Sequence, residues 1–406
     1  MKLPRFFVSM SSSSVYQTVH PYRLIYTLAG MHYHEPPKPV PNYEPRVTFP
    51  WLLNYIRLVF MELSGTAMYL YVSTNLDVRG SFILESGIKV CQGLSGITVM
   101  IASLIFNFNY LSFVEVLRKL HSVDEMFTSL EIRNDHTRQH KSIWQAIVVT
   151  VGVHLIMHIL SAFLYFGNNM PSEQKFYILI MLIFTVFSFH IPFTIALGNY
   201  LIYTYLIHER YELLNELIKT RFDTSNRRRM IWVKELMPPM KNQQELIQQI
   251  SEIHATLSDM VDILSNSQWV SFICLSVNTL AYTTFNIYSL YRMMLLQVEW
   301  QRVSTTLPTL LWNVIYVGMY AAVIVRGIFV GWIADGTVTL LYKVVNNERD
   351  PKMEMALRNA AWQIRGRSSE LKFKFYNSSF PVLFSTVGLI ITYLVILFQF
   401  DSMMKQ

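Results

Sequence analysis

Long apolar runs alternate with polar stretches along the whole chain. A window of about 20 residues, the length needed to cross a hydrocarbon core of about 30 Å, isolates seven runs: 51–74, 87–113, 143–166, 176–207, 267–290, 307–333 and 380–400. Pro50 opens the first and Asp401 closes the last. The fourth exceeds one crossing and continues into the polar stretch 209–221, so its helix is expected to leave the membrane and stand in the cytosol. The polar stretches carry a period of their own. Leu246, Ile250, Ile253, Leu257, Met260 and Leu264 recur at alternating steps of four and three among Gln, Glu, Ser and Asp, which predicts a cytoplasmic helix with a coiled-coil-like seam. That seam fits packing within one subunit or a contact between subunits. Neither Pro nor Gly separates it from the fifth run, so one continuous helix over about 242–290 is expected. A second cytoplasmic helix is expected over 351–371. Pro351 suits a first turn, and Leu357, Ala360, Ala361 and Ile364 share a face beside Lys352, Arg358 and Arg365. Such a helix can lie on a membrane surface or pack in a cytoplasmic anchor. Before the first run, Pro36, Pro37, Pro39 and Pro41 disfavour helix and read as an extended connector.

Composition narrows the class. Hydrophobic residues make up 52% and charged residues 15%, against about 25% charged in a soluble domain, which excludes most soluble readings. The net charge of +7 could suit nucleic acid or a membrane, and the location of the 34 Lys and Arg decides between them. They cluster before residue 51, between the second and third runs, in 208–264 and in 334–379. The opposite side holds only Arg79, Lys175, Arg292, Arg302 and Lys405. About five times as many therefore lie on the side that carries the N-terminus, which places that terminus in the cytoplasm and the C-terminus outside. A G-protein-coupled receptor has the same number of spans in the opposite orientation. The expected fold class is thus an all-α membrane protein with seven transmembrane helices and helical extensions forming a cytoplasmic anchor region. Its parts are a cytoplasmic tail (1–50), six helices forming a bundle (51–333, with a cytoplasmic loop and helix at 208–266), a cytoplasmic connector and anchor helix (334–379), and a seventh helix with a short outer tail (380–406).

Most catalytic chemistry finds no support. Cys91 and Cys274 lie inside apolar runs and read as packing residues, not as a disulfide framework. The first 15 residues lack the apolar core of a cleavable signal, because Ser11 to Ser14 interrupt it. The one Asn-x-Ser/Thr match, at Asn377, falls on the cytoplasmic side. No fixed-period repeat or pair of similar halves points to a transporter. His154 and His158 have the spacing of a shared metal but no zinc-protease glutamate and no third ligand, and read as buried neutral histidines or a pocket contact. Arg57, Glu62, Lys89 and Arg326 are costly in lipid and need partners or water, as does Asp335 beside the sixth run; Lys89 is expected to snorkel outward and Arg326 inward. Arg227, Arg228 and Arg229 read as a solvated or headgroup-facing loop and not as a nucleic-acid site. With no phosphate loop, dinucleotide fingerprint or nucleophile motif, the chain reads as a non-enzyme without cofactor or metal.

The last run carries a different signal. Ser385, Thr392 and Gln399 are spaced seven apart, with Leu389 and Ile396 between them, so one face of the helix is a narrow stripe of mixed polarity. Spacing alone fits either a hydrogen-bonded helix interface or the wall of a pore. The same helix reads Thr392-Tyr393, five apolar residues, then Gln399-Phe400. This string, at this place in a chain of 406 residues, resembles the C-terminal signature of the insect gustatory receptors, a branch of the insect seven-transmembrane chemoreceptor channels. The resemblance implies a tastant-gated, non-selective cation channel in the plasma membrane of gustatory neurons and other sensory cells. Its partners would be a small-molecule tastant, membrane lipids and other gustatory receptor subunits in a homo- or hetero-tetramer, with the seventh helices around one pore. Carried onto this sequence, Phe400 would be the apolar block and Gln399 a polar ring at the outer constriction, while Thr392 and Tyr393 would belong to the deeper wall with Ser385, Leu389 and Ile396. Family members bind tastant in an outward pocket among the second to sixth spans. The outer halves of those spans offer Gln92, His158, Tyr165, Tyr177, Tyr282, Asn286, Trp312, Asn313 and Tyr316, of which Trp312 and Asn313 are the preferred pair. Bitter or other plant-derived compounds are the favoured ligands. The alternatives are a sugar receptor, an accessory subunit and a transporter.

Overall fold

Several helices are far longer than a bilayer requires, and this sets the architecture. The computed structural model describes residues 14–22, 108–166, 191–222, 243–295, 300–367, 369–374 and 376–403, with isolated helical positions between 56 and 105. The elements are α1 (Val15–Thr18), α2 (Tyr110–Ser129), α3 (His136–Phe166), α4 (Ile191–Phe222), α5 (Gln243–Leu295), α6 (Trp300–Asn347), α7 (Pro351–Arg365), β1 (Lys372–Phe373), β2 (Tyr376–Asn377) and α8 (Phe380–Met403). At 53 residues and 1.5 Å per residue, α5 is about 80 Å long, more than twice a hydrocarbon core.

Four described stretches, His136–Phe163, Gln243–Arg292, Leu310–Asn347 and Phe380–Met403, are long and apolar enough to cross a membrane. They contain the fifth and seventh expected spans whole and all but the last three residues of the third and the first three of the sixth. The second half of the fourth lies in α4, which runs unbroken through Glu209 to Phe222 as expected. Apart from isolated positions and the end of the second at 108–113, the first two spans lie outside the described residues, as do Arg57, Glu62, Lys89, the Pro-rich connector and the triple arginine. α3 shows what surrounds the outer bundle. Val148, Val149, Leu155, Ile156, Ile159 and Phe163 are all exposed on a helix with no charged residue after Lys141. A helix that shows such residues outward faces hydrocarbon.

The cytoplasmic ends of α2, α4, α5, α6 and α7 enclose the main core. All six seam residues of α5, from Leu246 to Leu264, are buried within the single chain, which selects packing within one subunit. α7 begins as expected: Asp350 caps it through its carboxylate and the Lys352 N–H (3.1 Å), Pro351 fills the first turn, and Met353, Leu357, Ala360, Ala361 and Ile364 face inward. It ends at Arg365 and not at Leu371. Gly366 turns the chain there, and the next residues form a two-strand hairpin with Lys372 opposite Asn377 and Phe373 opposite Tyr376. Phe373 packs against the Phe272 ring (4.2 Å between centroids) and beside Tyr200 (6.4 Å), which itself meets Phe272 edge-on at 4.8 Å, and Lys374 lies 4.6 Å over Trp269. The hairpin comes so close to α6 that a Cβ on Gly327 would lie 2.5 Å from Ser378 Oγ.

Two further features were not anticipated from the sequence. α6 does not stop near 333 but continues to Asn347, because nothing breaks the helix and Leu341, Val344 and Val345 have a core to fill. Part of the N-terminal tail is structured: in and just after α1, Val15, Tyr16, Val19 and Tyr22 are buried, and the Tyr22 hydroxyl donates to the Ile195 carbonyl of α4.

A buried polar network ties these cytoplasmic parts together. Arg210 of α4, with no exposed surface, donates to both carboxylate oxygens of Asp124 on α2 (3.2 and 3.0 Å) and to Gln139 of α3 (3.0 Å). Asn134 donates to Asp124 (2.9 Å) and accepts from Gln139 (2.8 Å). His136, at the cytoplasmic start of α3, lies 3.7 Å from Asp124, and desolvation still holds its pKa below the ordinary value. With the fork of Arg210 and the Asp124 carboxylate both satisfied, the charges can stay buried.

Candidate functional site

α8 is apolar along most of its length, so what it turns inward and outward decides its role. Leu394 and Asp401 are buried, and Ile390, Leu397 and Phe398 pack beside them against Tyr288 and Tyr291 of α5. Ser385, Leu389, Thr392, Ile396 and Gln399 are all exposed. At about 100° per residue, this stripe is centred roughly opposite Leu394 and Asp401. The helix therefore holds its own subunit with one face and presents the mixed stripe on the other. Tyr393 and Phe400, also seven apart and about half exposed, lie to one side of the stripe. Thr392 donates its hydroxyl to the Gly388 carbonyl one turn earlier (2.8 Å), which lessens the polarity of its side chain.

The outer ligand candidates fall partly into one cluster. The Trp312 ring of α6 lies 4.8 Å from the His158 ring and 5.5 Å from the His154 ring of α3, and 6.2 Å from Tyr316 one turn along α6. Asn313 is buried beside Trp312, and its side-chain carbonyl accepts from the Thr283 hydroxyl of α5 (3.1 Å). Tyr282 and Asn286 flank Thr283 on α5, where the Asn286 amide donates to the Tyr282 carbonyl (2.8 Å). Three helices thus bring His158, Trp312, Asn313 and Tyr316 together, with Thr283 joining them through Asn313. Gln92, Tyr177 and the Tyr165 side chain lie outside the described residues.

His154 is fixed by two bonds. Its Nδ1 lies 2.8 Å from the Thr150 carbonyl, which can only accept, so Nδ1 carries the proton and Nε2, 2.8 Å from Thr194 Oγ1, accepts. Both nitrogens are thereby used within the protein, and among the described residues no group of three or more His, Cys, Asp or Glu could hold a metal.

Sequence reasoning missed the ion pair at the outer end of α8. Asp401, expected only to close the span, is buried and accepts from Arg292 of α5 and from the Tyr288 hydroxyl (3.3 Å). The one signal was electrostatic: an isolated Arg and an isolated Asp at the outward ends of two apolar runs. The inner-side Arg326 lies 5.7 Å over the Tyr205 ring.

A model of the 7tm Chemosensory receptor family matches residues 20–404. The chain belongs to that family. Its fold is shared with solved insect receptors: the olfactory receptor OR5 from Machilis hrabei aligns at TM-score 0.57 and 14% identity over 94% of this receptor and 97% of that chain. The same protein in complex with eugenol aligns at TM-score 0.50 over the same shares, again at 14% identity. No curated protein matches this receptor. It is accordingly a multi-pass membrane receptor of the insect chemoreceptor fold.

Proposed function

We propose that this receptor is a gustatory receptor working as a tastant-gated, non-selective cation channel of four subunits in the plasma membrane, for bitter or other plant-derived compounds. The exposed stripe of Ser385, Leu389, Thr392, Ile396 and Gln399 carries this reading. A row of hydroxyl and amide groups is costly against lipid and needs water or protein to cover it. Four copies of α8 around one axis supply water. The Thr392-Tyr393 and Gln399-Phe400 pairs support the gustatory branch. Phe400 then forms the apolar ring that blocks the outer constriction by dewetting, and a turn of the helix exchanges it for Gln399. The ligand sits at the cluster of Trp312, Asn313, Tyr316 and His158, with Tyr282 and Asn286 on the adjoining face of α5. A small molecule, as in the eugenol complex of the related olfactory receptor, opens the channel by binding the open arrangement more tightly than the closed one.

Cysteine scanning tests the pore. Replacements at Ser385, Thr392 and Gln399 are expected to react with water-soluble thiol reagents in intact cells and to change membrane current when they do, and Phe400→Ala is expected to raise resting conductance. Inertness at all three cysteines, with a Phe400→Ala chain that reaches the surface and conducts nothing, overturns the reading.

A further inference from the structure

The pore reading leaves open how movement at the ligand cluster reaches Phe400, and the outer end of the molecule supplies a route. α5 carries Tyr282 and Asn286, and its last turns carry Tyr288, Tyr291 and Arg292. α8 carries Phe398 and Asp401 on its packing face, immediately beside Gln399 and Phe400. The Phe398 ring lies 4.2 Å from Tyr291 and 6.1 Å from Tyr288, and Arg292 and Tyr288 both donate to Asp401. Tyr288, Tyr291, Leu394 and Phe398 belong to a separate small core, distinct from the large cytoplasmic one, and the Arg292–Asp401 pair lies beside it. Among the described residues, this cluster is what grips α8 at the level of the proposed constriction.

We propose that Arg292, Tyr288 and Asp401 form a clamp that makes the outer ends of α5 and α8 move as one body, so that displacement of α5 by a ligand is delivered to Phe400 without loss. The proposal rests on the pore reading above. Its physical ground is a comparison of costs. Arg292 and Asp401 are both more than nine-tenths buried, and separating such a pair leaves two uncompensated charges in a low-dielectric site. An allosteric ligand usually changes an equilibrium by only about 5–150-fold, which is less than separating the pair requires. Gating therefore proceeds with the pair intact. Arg292 and Asp401 are positioning residues that hold α8 while the helix turns; they are not latches that open.

The test uses the full chain expressed in cells, with resting cation conductance in sodium saline normalised to surface protein, so no ligand is needed. Phe400→Ala is measured first. Arg292→Gln and Asp401→Asn are each expected to loosen the constriction and raise conductance at least about fivefold. The double variant, which leaves neither charge without its partner, is expected to return to within about twofold of the parent. A merely structural pair would change the amount of surface protein but not the conductance of each molecule. Singles without effect, or effects that multiply in the double, overturn the clamp while a conducting Phe400→Ala leaves the pore reading standing. A silent Phe400→Ala at the surface removes both. If a single variant does not reach the surface, cysteines at both positions bridged by a short bis-methanethiosulfonate, through two disulfides that a reductant cleaves, decide the matter. Spontaneous openings that persist at unchanged open probability support rigid coupling, and openings suppressed until reductant is added overturn it.

Discussion

His254 is buried in the cytoplasmic half of α5, with the Tyr211 ring 5.3 Å away and the Ala334 carbonyl and Arg367 nearby. Burial pushes its pKa down to about 4; the carbonyl opposes this and Arg367 adds to it. A histidine whose folded pKa lies below its ordinary value keeps the folded state stable while it is neutral. The unfolded chain binds its proton first as pH falls through about 6.5, so stability falls from there down to about 4. Purified full chain should therefore lose thermal stability on acidification, with on the order of 2–3 kcal/mol of the loss by pH 4 due to this residue. His254→Leu should show a shallower acid slope than the parent in matched melting curves. Equal slopes would exclude the residue as the cause. The same scale shows where sequence reading stops. Arg210 and Asp124 are 86 positions apart, and Arg292 and Asp401 are 109 apart. Each is an ordinary charged residue in its own segment, and only tertiary packing reveals it as half of a buried pair. Trp312, Asn313, Tyr316 and His158 were legible as outward aromatic and amide residues, but the ring contacts that join α3 to α6 were not.

Elements were more legible than pairs, because their signals are local. The steps of four and three from Leu246 to Leu264 specify a helix and its inward face before any partner is known. The length of α5 followed from the lack of Pro and Gly. The continuation of α6 to Asn347 was missed because a hydropathy window reports where lipid ends and not where a helix ends. The 371–379 hairpin was missed because two-residue strands are too short for any period, and its position depends on the bare Gly327 across from Ser378. A seam packed within one subunit makes a prediction. Leu257 has no exposed surface, so Leu257→Ala should destabilise the purified chain by about 2–5 kcal/mol. Glu252→Ala, on the exposed side of the same helix, should change stability by less than about 0.5 kcal/mol. Matched melting curves give both values, and similar losses at the two positions would mean that the seam does not carry the anchor.

At the scale of the whole molecule, two different solvents shape one set of helices. α3 and α8 display apolar side chains outward along their lengths, whereas the inner ends of α4, α5 and α6 bury theirs, and α7 buries one apolar face and leaves Lys352, Arg358 and Arg365 exposed beside Met355 and Trp362. Hydrocarbon around the first group and water around the second require the membrane to end between them, near Trp269 and Lys374, where an aromatic ring and a cation meet. The basic residues fix which side is which. Lys and Arg of the anchor lie on the retained side, and the clamp of Arg292 and Asp401 lies on the opposite one. This orientation predicts how the ends of the chain label. A short epitope after Gln406 should bind antibody on intact cells, and one before Met1 should do so only after permeabilisation. The reverse pattern would place the cytoplasmic anchor outside the cell, and would put Phe400 at the inner end of the proposed pore, where a ligand arriving from outside could not reach the cluster that precedes it.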